Sequence, residues 1–397
     1  MNTSTNPCRT AAEGTPVTEK LSDILQNVFT SSKVVNETVM FIDKGNAKSL
    51  LHTPERILSV TSYDGQTVYE EGRDYQLKDG KLVIPETSTM PCITSAVYFD
   101  GSGMIVKDGQ KLYWGEGDTM TRWQVCVTYT HADKWDKYLQ KNYADRYTDF
   151  IGKLERGEDV TVYFYGDSIT AGANASYFVG VAPYQQPYTV LFLQALAETF
   201  EYTVKFVDVT PDHAASDKIP TSDLVCGTRG TITYVNSAIG GWASQNGADS
   251  IDGVLENIRT YGCDLFVLAF GMNDGAAPAS EVSAVQNGML QKVHAVAPDA
   301  ALMMVATMVP HIGTEWDSNQ KTQWVELEKS AEAFYESGIP CALANMTKVS
   351  LSLYETKDFE DCTGNNINHP NDFIDRLYAQ TLFQTLLGYD YVVPTLS

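Results

Sequence analysis

Four short stretches of this chain carry residues whose types could work together: Gly166-Asp167-Ser168-Ile169, Asn236-Ser237-Ala238-Ile239-Gly240-Gly241-Trp242, Gly271-Met272-Asn273-Asp274 and Asn366-Ile367-Asn368-His369-Pro370. Ser168 is a candidate nucleophile, and His369 a candidate base that takes its proton and later returns it to a leaving alcohol. The tetrahedral intermediate of such a reaction needs N–H donors fixed in advance. The backbone N–H groups of Ser168 and Gly241 and the side-chain amide of Asn273 supply three. Glycine suits the second position because a Cβ would crowd the intermediate. Taken singly, each stretch is ordinary. Gly-Asp-Ser is a common turn, Gly-Gly a common loop, Gly-x-Asn-Asp a turn or helix cap, and a lone histidine is more often structural. Their order and placement argue for a joint role.

That placement follows from the elements around them. The run Val160-Thr-Val-Tyr-Phe-Tyr165 is β-branched and aromatic, the pattern of a buried strand, and stops at Gly166. Strands follow at about Thr203–Val209, Thr231–Asn236, Leu265–Phe270, Ala301–Ala306 and Pro340–Ala344. Helices are expected at about Tyr188–Phe200, Asp249–Tyr261, Ser280–Ala297, Thr322–Ser337 and Asn371–Leu387. Alternating strands and helices predict a mostly parallel sheet covered on both faces, and such sheets bind ligands at the carboxyl ends of their strands. Three of the four stretches directly follow a strand there, and the fourth precedes the last helix.

The first third reads differently. After a polar lead-in and a short helix around Leu21–Phe29, the runs VVNETVMFI, RILSVTSY, KLVIP, SAVYF and WQVCVTYT predict short strands. They are separated by turn signals at Asp64-Gly65, Asp79-Gly80, Asp100-Gly101 and Asp108-Gly109. Asp79-Gly80 is the clearest hairpin. The expectation is a β-sandwich over 1–131 in an accessory role. A linking helix over 132–157 is expected from Trp135, Tyr138, Leu139, Tyr143, Tyr147, Phe150, Ile151 and Leu154 at three- and four-residue steps. The α/β unit occupies 158–397. Trp114 and Trp123 are read as core, with a sugar-stacking platform as the alternative.

With these blocks the chain resembles the SGNH hydrolases, the GDSL-like esterase/lipase superfamily. The resemblance rests on GDSIT at 166–170, AIGG at 238–241, GMND at 271–274 and NINHP at 366–370 and covers roughly residues 158–390. It implies a flavodoxin-like three-layer α/β/α domain without metal or organic cofactor, with Ser168, Gly241, Asn273 and His369 in the roles above. The β-sandwich ahead of it is similar in layout to two-domain bacterial carbohydrate esterases. One departure stands out: the family has Asp three residues before the histidine, and this chain has Asn366. Three explanations follow. A backbone carbonyl or the Asn366 oxygen orients His369 in a Ser-His dyad. Another carboxylate, such as Asp361, Asp372 or Asp375, completes a triad. Or turnover is weakened, leaving a glycan-binding relative.

Composition narrows the substrate. The formal net charge of −22 over 397 residues repels nucleic acid, anionic lipid and polyanionic substrates. Neutral esters fit better, small or oligosaccharide. Trp242, Asp167 and Tyr184 are the candidate substrate contacts, with the loop Tyr177–Tyr188, His311 and Trp316 as further stacking candidates. The expected activity is removal of small acyl groups, acetyl foremost, from carbohydrate esters. A lysophospholipase, thioesterase or acyltransferase of the same superfamily is the alternative. Seven scattered cysteines without C-x-x-C spacing speak against a cysteine metal site or disulfide framework. No stretch reaches the length of a membrane span and the N-terminus lacks a signal-peptide core. The expectation is a cytoplasmic protein, or a secreted one if a leader was removed, with its oligomeric state open.

Overall fold

The computed structural model describes residues 25–99, 105–107, 109–207, 209, 227–314, 316–317 and 320–393. The lead-in with Cys8, residues 21–24 of the expected first helix, the Asp100-Gly101 turn, Asp108, Asp208 and Cys226 lie outside the described residues. Residues 25–30 run as turns.

The N-terminal region is antiparallel and β-rich. Its elements are β1 (Lys33–Met40), β2 (Ala47–Ser49), β3 (Arg56–Ser62), β4 (Val68–Tyr69), β5 (Gln76–Lys78), β6 (Lys81–Val83), α1 (Ser95–Tyr98), β7 (Ile105–Lys107), β8 (Gln110–Leu112) and β9 (Gln124–Thr130). They form sheets ordered β1-β9-β3-β4, β2-β6-β5 and β7-β8. Asp79 and Gly80 join β5 to β6 with φ of 50° and 73°, the doubly positive turn that matches strand twist. The SAVYF run is a helical turn rather than a strand. Thr94 sits extended before it and its hydroxyl accepts from Val97 N–H, so a cap outweighs the β-propensity of Val97 and Tyr98.

The linking helix expected over 132–157 is helical only at α2 (Thr148–Arg156), after a short 3-10 turn at Ala144–Arg146. The preceding residues run irregularly because their side chains serve different elements. The Trp135 ring meets Phe29 and His52. The Gln140 amide donates to Leu343 O and accepts from Asn345 N–H. One helix could not present these groups to separate partners, so tertiary bonding overrides the periodicity.

The remaining chain forms the expected three-layer α/β/α unit. Its elements are β10 (Val160–Gly166), α3 (Ser168–Ala171), α4 (Ser176–Val179), α5 (Tyr188–Phe200), β11 (Tyr202–Val207), β12 (Gly230–Asn236), α6 (Ser244–Asp249), α7 (Ile251–Tyr261), β13 (Leu265–Ala269), α8 (Ala279–Val296), β14 (Ala301–Ala306), α9 (Gln320–Glu336), β15 (Cys341–Asn345), α10 (Met346–Tyr354) and α11 (Asp372–Leu386). The sheet order is β11-β12-β10-β13-β14-β15, all neighbours parallel. Alternation along β10 divides the interior. Val162 and Phe164 face the core shared with α5 and α11, and Tyr163 and Tyr165 that shared with α7, α8 and α9. From β10 the chain winds first to one side of the sheet and then to the other. That makes the carboxyl end of β10 the switch point where a crevice opens.

The core on the α5 and α11 side continues into the N-terminal region, taking in Val34, Val39, Phe41, Val60, Val125, Val127 and Tyr129. Hydrogen bonds follow the same seam. Arg376 of α11 donates to Val35 O and Asn36 O, and Gln124 of β9 donates to Glu360 O and Thr363 O. Among the described residues no helix is long and apolar enough to cross a membrane.

Candidate active site

Strand β10 delivers Ser168 to the crevice through a close approach that only glycine allows. A Cβ on Gly166 would lie 2.4 Å from Thr170 Oγ1 and 2.5 Å from Ala269 O, both inside contact distance. Asp167 then caps α3, its Oδ1 accepting from Ile169 N–H at 3.0 Å. Its carboxyl is almost fully buried, and burial raises it to about 7 against the pull of the Ile169 N–H and the His369 charge. The Asp167 side chain is thus buried, with Oδ1 given to the cap.

Ser168 Oγ lies 2.9 Å from His369 Nε2, so two of the expected residues, 201 positions apart, meet within hydrogen-bond reach. Both other blocks converge on them. After β12, Ile239 N–H donates to Gly166 O, and a Cβ on Gly240 would sit 3.8 Å from Ser168 Cβ. Gly241 follows with φ +77° in a turn closed by Trp242 N–H on Ile239 O. Asn273, just past β13, donates its side-chain amide to Trp242 O at 3.0 Å, and the Asp274 carboxylate accepts from Ser244 N–H and Oγ. Asn273 is thus tied through Trp242 O to the Gly240-Gly241 turn.

His369 rides on a loop pinned from within and from the β-rich region. Inside it, Asn365 Oδ1 accepts the N–H groups of Ile367, Asn368 and His369 at 2.9, 3.0 and 3.0 Å. From outside, Asn371 Nδ2 donates to Thr38 Oγ1 and Gln124 Oε1. The carboxylates proposed as third partner are engaged elsewhere. Asp361 accepts from Met40 N–H at 2.7 Å and Asp372 from Ser176 N–H at 2.8 Å, and Asp375 is buried in α11. Asn366, three residues before His369, adopts φ 66° and sends its amide to Tyr98 Oη and Tyr113 O at 2.9 and 2.8 Å. It holds the β-rich region rather than the histidine, which corrects its expected catalytic place.

His369 Nδ1 instead faces two residues missing from the expected set: Asn174 Oδ1 at 2.7 Å and Glu116 Oε2 at 3.2 Å. Asn174 stands in the loop after α3 with φ 65°, and Glu116 between β8 and β9. Nothing in the local pattern marks either, since Asn174 reads as a loop residue and Glu116 is 253 positions from the histidine.

The aromatic candidates divide. Trp242 is half-buried and packs its apolar edge against the core below it. Tyr184 is half-exposed with φ 60° in the loop whose Gln185 bonds Ser176 and Asp372. Trp114, Trp123 and the stacking candidate Trp316 all pack around Met40, Tyr98, Leu112, Met120 and Ile367, which favours the core reading of the first two. His311 is buried, stacks on Phe359, donates its Nδ1–H to Asn366 O and accepts from Lys107 Nζ at Nε2. That removes it from the stacking candidates. Among the described residues no cluster of three or more histidines, cysteines and carboxylates is gathered for a metal, and Cys92, Cys263, Cys341 and Cys362 are free thiols.

Comparison with known proteins places these features. The GDSL-like lipase/acylhydrolase family matches residues 164–336, which hold Ser168, Gly241 and Asn273 and end before His369. No curated protein matches the chain. Among solved structures, a two-domain esterase active on acetylated mannans, co-crystallised with mannopentaose, is 16% identical over 61% of this chain and 53% of its own, with a TM-score of 0.43. This chain thus spans about half the length of that protein. A carbohydrate esterase family 3 protein from Talaromyces cellulolyticus is 16% identical over 56% of this chain and 94% of its own, at a TM-score of 0.39. A family 3 carbohydrate esterase from Clostridium thermocellum is 13% identical over 57% and 95%, at 0.40. Residues 164–336 accordingly resemble a domain of the GDSL-like lipase/acylhydrolase family.

Proposed function

We propose that the chain removes small acyl groups, acetyl foremost, from neutral carbohydrate esters through an acyl-enzyme on Ser168. The observation that carries this reading is the 2.9 Å approach of Ser168 Oγ to His369 Nε2. In the first half-reaction His369 takes the Ser168 proton as Oγ attacks the ester carbon. The carbonyl oxygen gains a negative charge and is met by the N–H groups of Ser168 and Gly241 and the amide of Asn273. Collapse expels the sugar alkoxide, which receives the proton from His369. In the second half-reaction water gives a proton to His369 and its oxygen attacks the acyl carbon, releasing the carboxylic acid and restoring Ser168.

The substrate class is supported by charge and by the mouth. A net charge of −22 disfavours polyanions, and half-exposed Trp242 and Tyr184 offer faces on which a sugar ring stacks. The test is hydrolysis of 4-nitrophenyl acetate, butyrate and octanoate, then of acetylated oligosaccharides, by wild type, Ser168→Ala and His369→Ala. Acetate-preferring activity lost in both variants is the expected result. Preference for octanoate points to the lipase-like alternative, and activity retained in Ser168→Ala refutes the mechanism.

A further inference from the structure

The acid that the family places three residues before the histidine is Asn366 here, and its side chain is occupied at Tyr98 and Tyr113. The Nδ1 edge of His369 is nevertheless well provided for. We infer that Glu116, carried by the N-terminal β-rich region, supplies the carboxylate that positions His369, with Asn174 fixing the tautomer. The inference rests on the Ser168–His369 mechanism proposed above.

The tautomer follows from the amide of Asn174. Its Nδ2 donates to Gly117 O and Gly364 O, each at 3.2 Å, and carbonyl oxygens accept only. Oδ1 is therefore the atom turned to His369 Nδ1, at 2.7 Å. An amide oxygen accepts only, so Nδ1 carries the hydrogen and Nε2 presents its lone pair to Ser168 Oγ. That is the state a general base needs. Glu116 Oε2, 3.2 Å from the same nitrogen, is a second acceptor for the same N–H.

Glu116 is tied into the loop rather than left to swing. Its Oε1 accepts from Asn365 Nδ2 at 3.0 Å, and the Oδ1 of that same Asn365 holds three loop N–H groups, including that of His369. Gly115 N–H meets Asn365 O and Gly117 O meets Asn174, so three consecutive residues of the β-rich region grip the histidine's surroundings. Gly364 makes room for this, since a Cβ there would lie 2.5 Å from Asn174 Cβ. Burial alone would raise the Glu116 carboxyl, but the hydrogen bond and charge of His369 and the Asn365 amide bring it below its ordinary range. A neutral amide orients the ring; a carboxylate also stabilises the imidazolium formed as Ser168 attacks. Glu116 is the only carboxylate hydrogen-bonded to His369 among the described residues. Asp167 lies near enough to interact by charge, and it is unchanged in the variants below.

The experiment uses the full chain and the variants Glu116→Gln, Glu116→Asp and Asn174→Ala. Readouts are kcat and KM on 4-nitrophenyl acetate, the pH dependence of kcat/KM, the rate of Ser168 labelling by a fluorophosphonate, and melting temperature. A buried triad Asp→Asn change costs about ten-thousandfold. Glu116 is more than half exposed and Asn174 remains as acceptor, so Glu116→Gln lowers kcat only about tenfold. It slows labelling in parallel, leaves KM and the melting temperature near wild type, and moves the acid limb of kcat/KM to lower pH. Glu116→Asp, which keeps the charge, regains part of kcat and of the limb. A Glu116→Gln enzyme with wild-type kcat, labelling rate and acid limb overturns the inference, and so does a loss confined to KM. Either result alongside inactive Ser168→Ala and His369→Ala overturns the role of Glu116 alone. Active Ser168→Ala or His369→Ala overturns the underlying mechanism.

Discussion

Lys357 Nζ lies 2.6 Å from Glu37 Oε1 with both side chains sealed from solvent, joining the segment before the His369 loop to the first strand of the β-rich region. Glu37 also accepts from Leu51 N–H through Oε1 and from Tyr129 Oη through Oε2, and Lys357 has Asp361 at 3.6 Å. Burial opposes the charge on Lys357, yet the facing carboxylates hold its pKa above the usual lysine range. Removing one partner of such a pair strands the other. Glu37→Met and Lys357→Met each lose about 3–5 kcal/mol of stability. The double variant Glu37→Met/Lys357→Met loses less than the sum of the two. Urea denaturation of the four proteins measures this.

The continuous core makes a second prediction. The apolar side chains of β1, β3 and β9 belong to the same cluster as those of α5 and α11, so residues 158–397 produced alone expose apolar surface that the whole chain buries. That fragment is expected to be insoluble or to lack a cooperative thermal transition. A soluble, cooperatively melting and active fragment would show the β-rich region to be dispensable.

Asn273 makes a third. Its side-chain amide donates to Trp242 O, and the proposed mechanism gives it the developing oxyanion as a second acceptor. Asn273→Ala is expected to lower kcat by about 10²–10³ with little change in KM. A change carried by KM instead would move Asn273 from the transition state to ground-state binding.

A fourth prediction concerns pH. The Asp167 carboxyl rises from 3.8 to about 7 in the folded protein, so between these values the folded state keeps a proton that the unfolded chain has lost. Stability from this group is then full below the unfolded value and falls as pH rises toward the folded one. Asp167→Asn retains an N-cap acceptor and has no proton to lose. It melts with wild type near the lower value and above it at neutral pH, by at most about 4 kcal/mol. Coincident melting curves at every pH would refute the assignment.

The sheet is legible because its central strands are runs dominated by apolar, aromatic and β-branched residues, and Ser168 and Asn273 stand out as candidates because they directly follow such strands. Helix α10 passed unnoticed because it follows β15 without a break, Asn345 serving both as strand end and as cap. The irregular stretch before α2 misled because aromatic spacing cannot reveal that neighbouring side chains answer to different partners. Glu116 and Asn174 were invisible for a related reason. Their role exists only through contacts spanning 253 and 195 positions, and no local period encodes such distances.

The bonds from Arg376 to Val35 and Asn36, across 341 and 340 positions, close the chain on itself around the nucleophile's strand. Native pairing of this span is costly to nucleate, because a long loop must be restrained before any contact rewards it. Docking of α11 onto β1 is therefore expected late in folding. Recovery of esterase activity after dilution from denaturant trails the return of secondary structure and coincides with the docking of α11 onto β1.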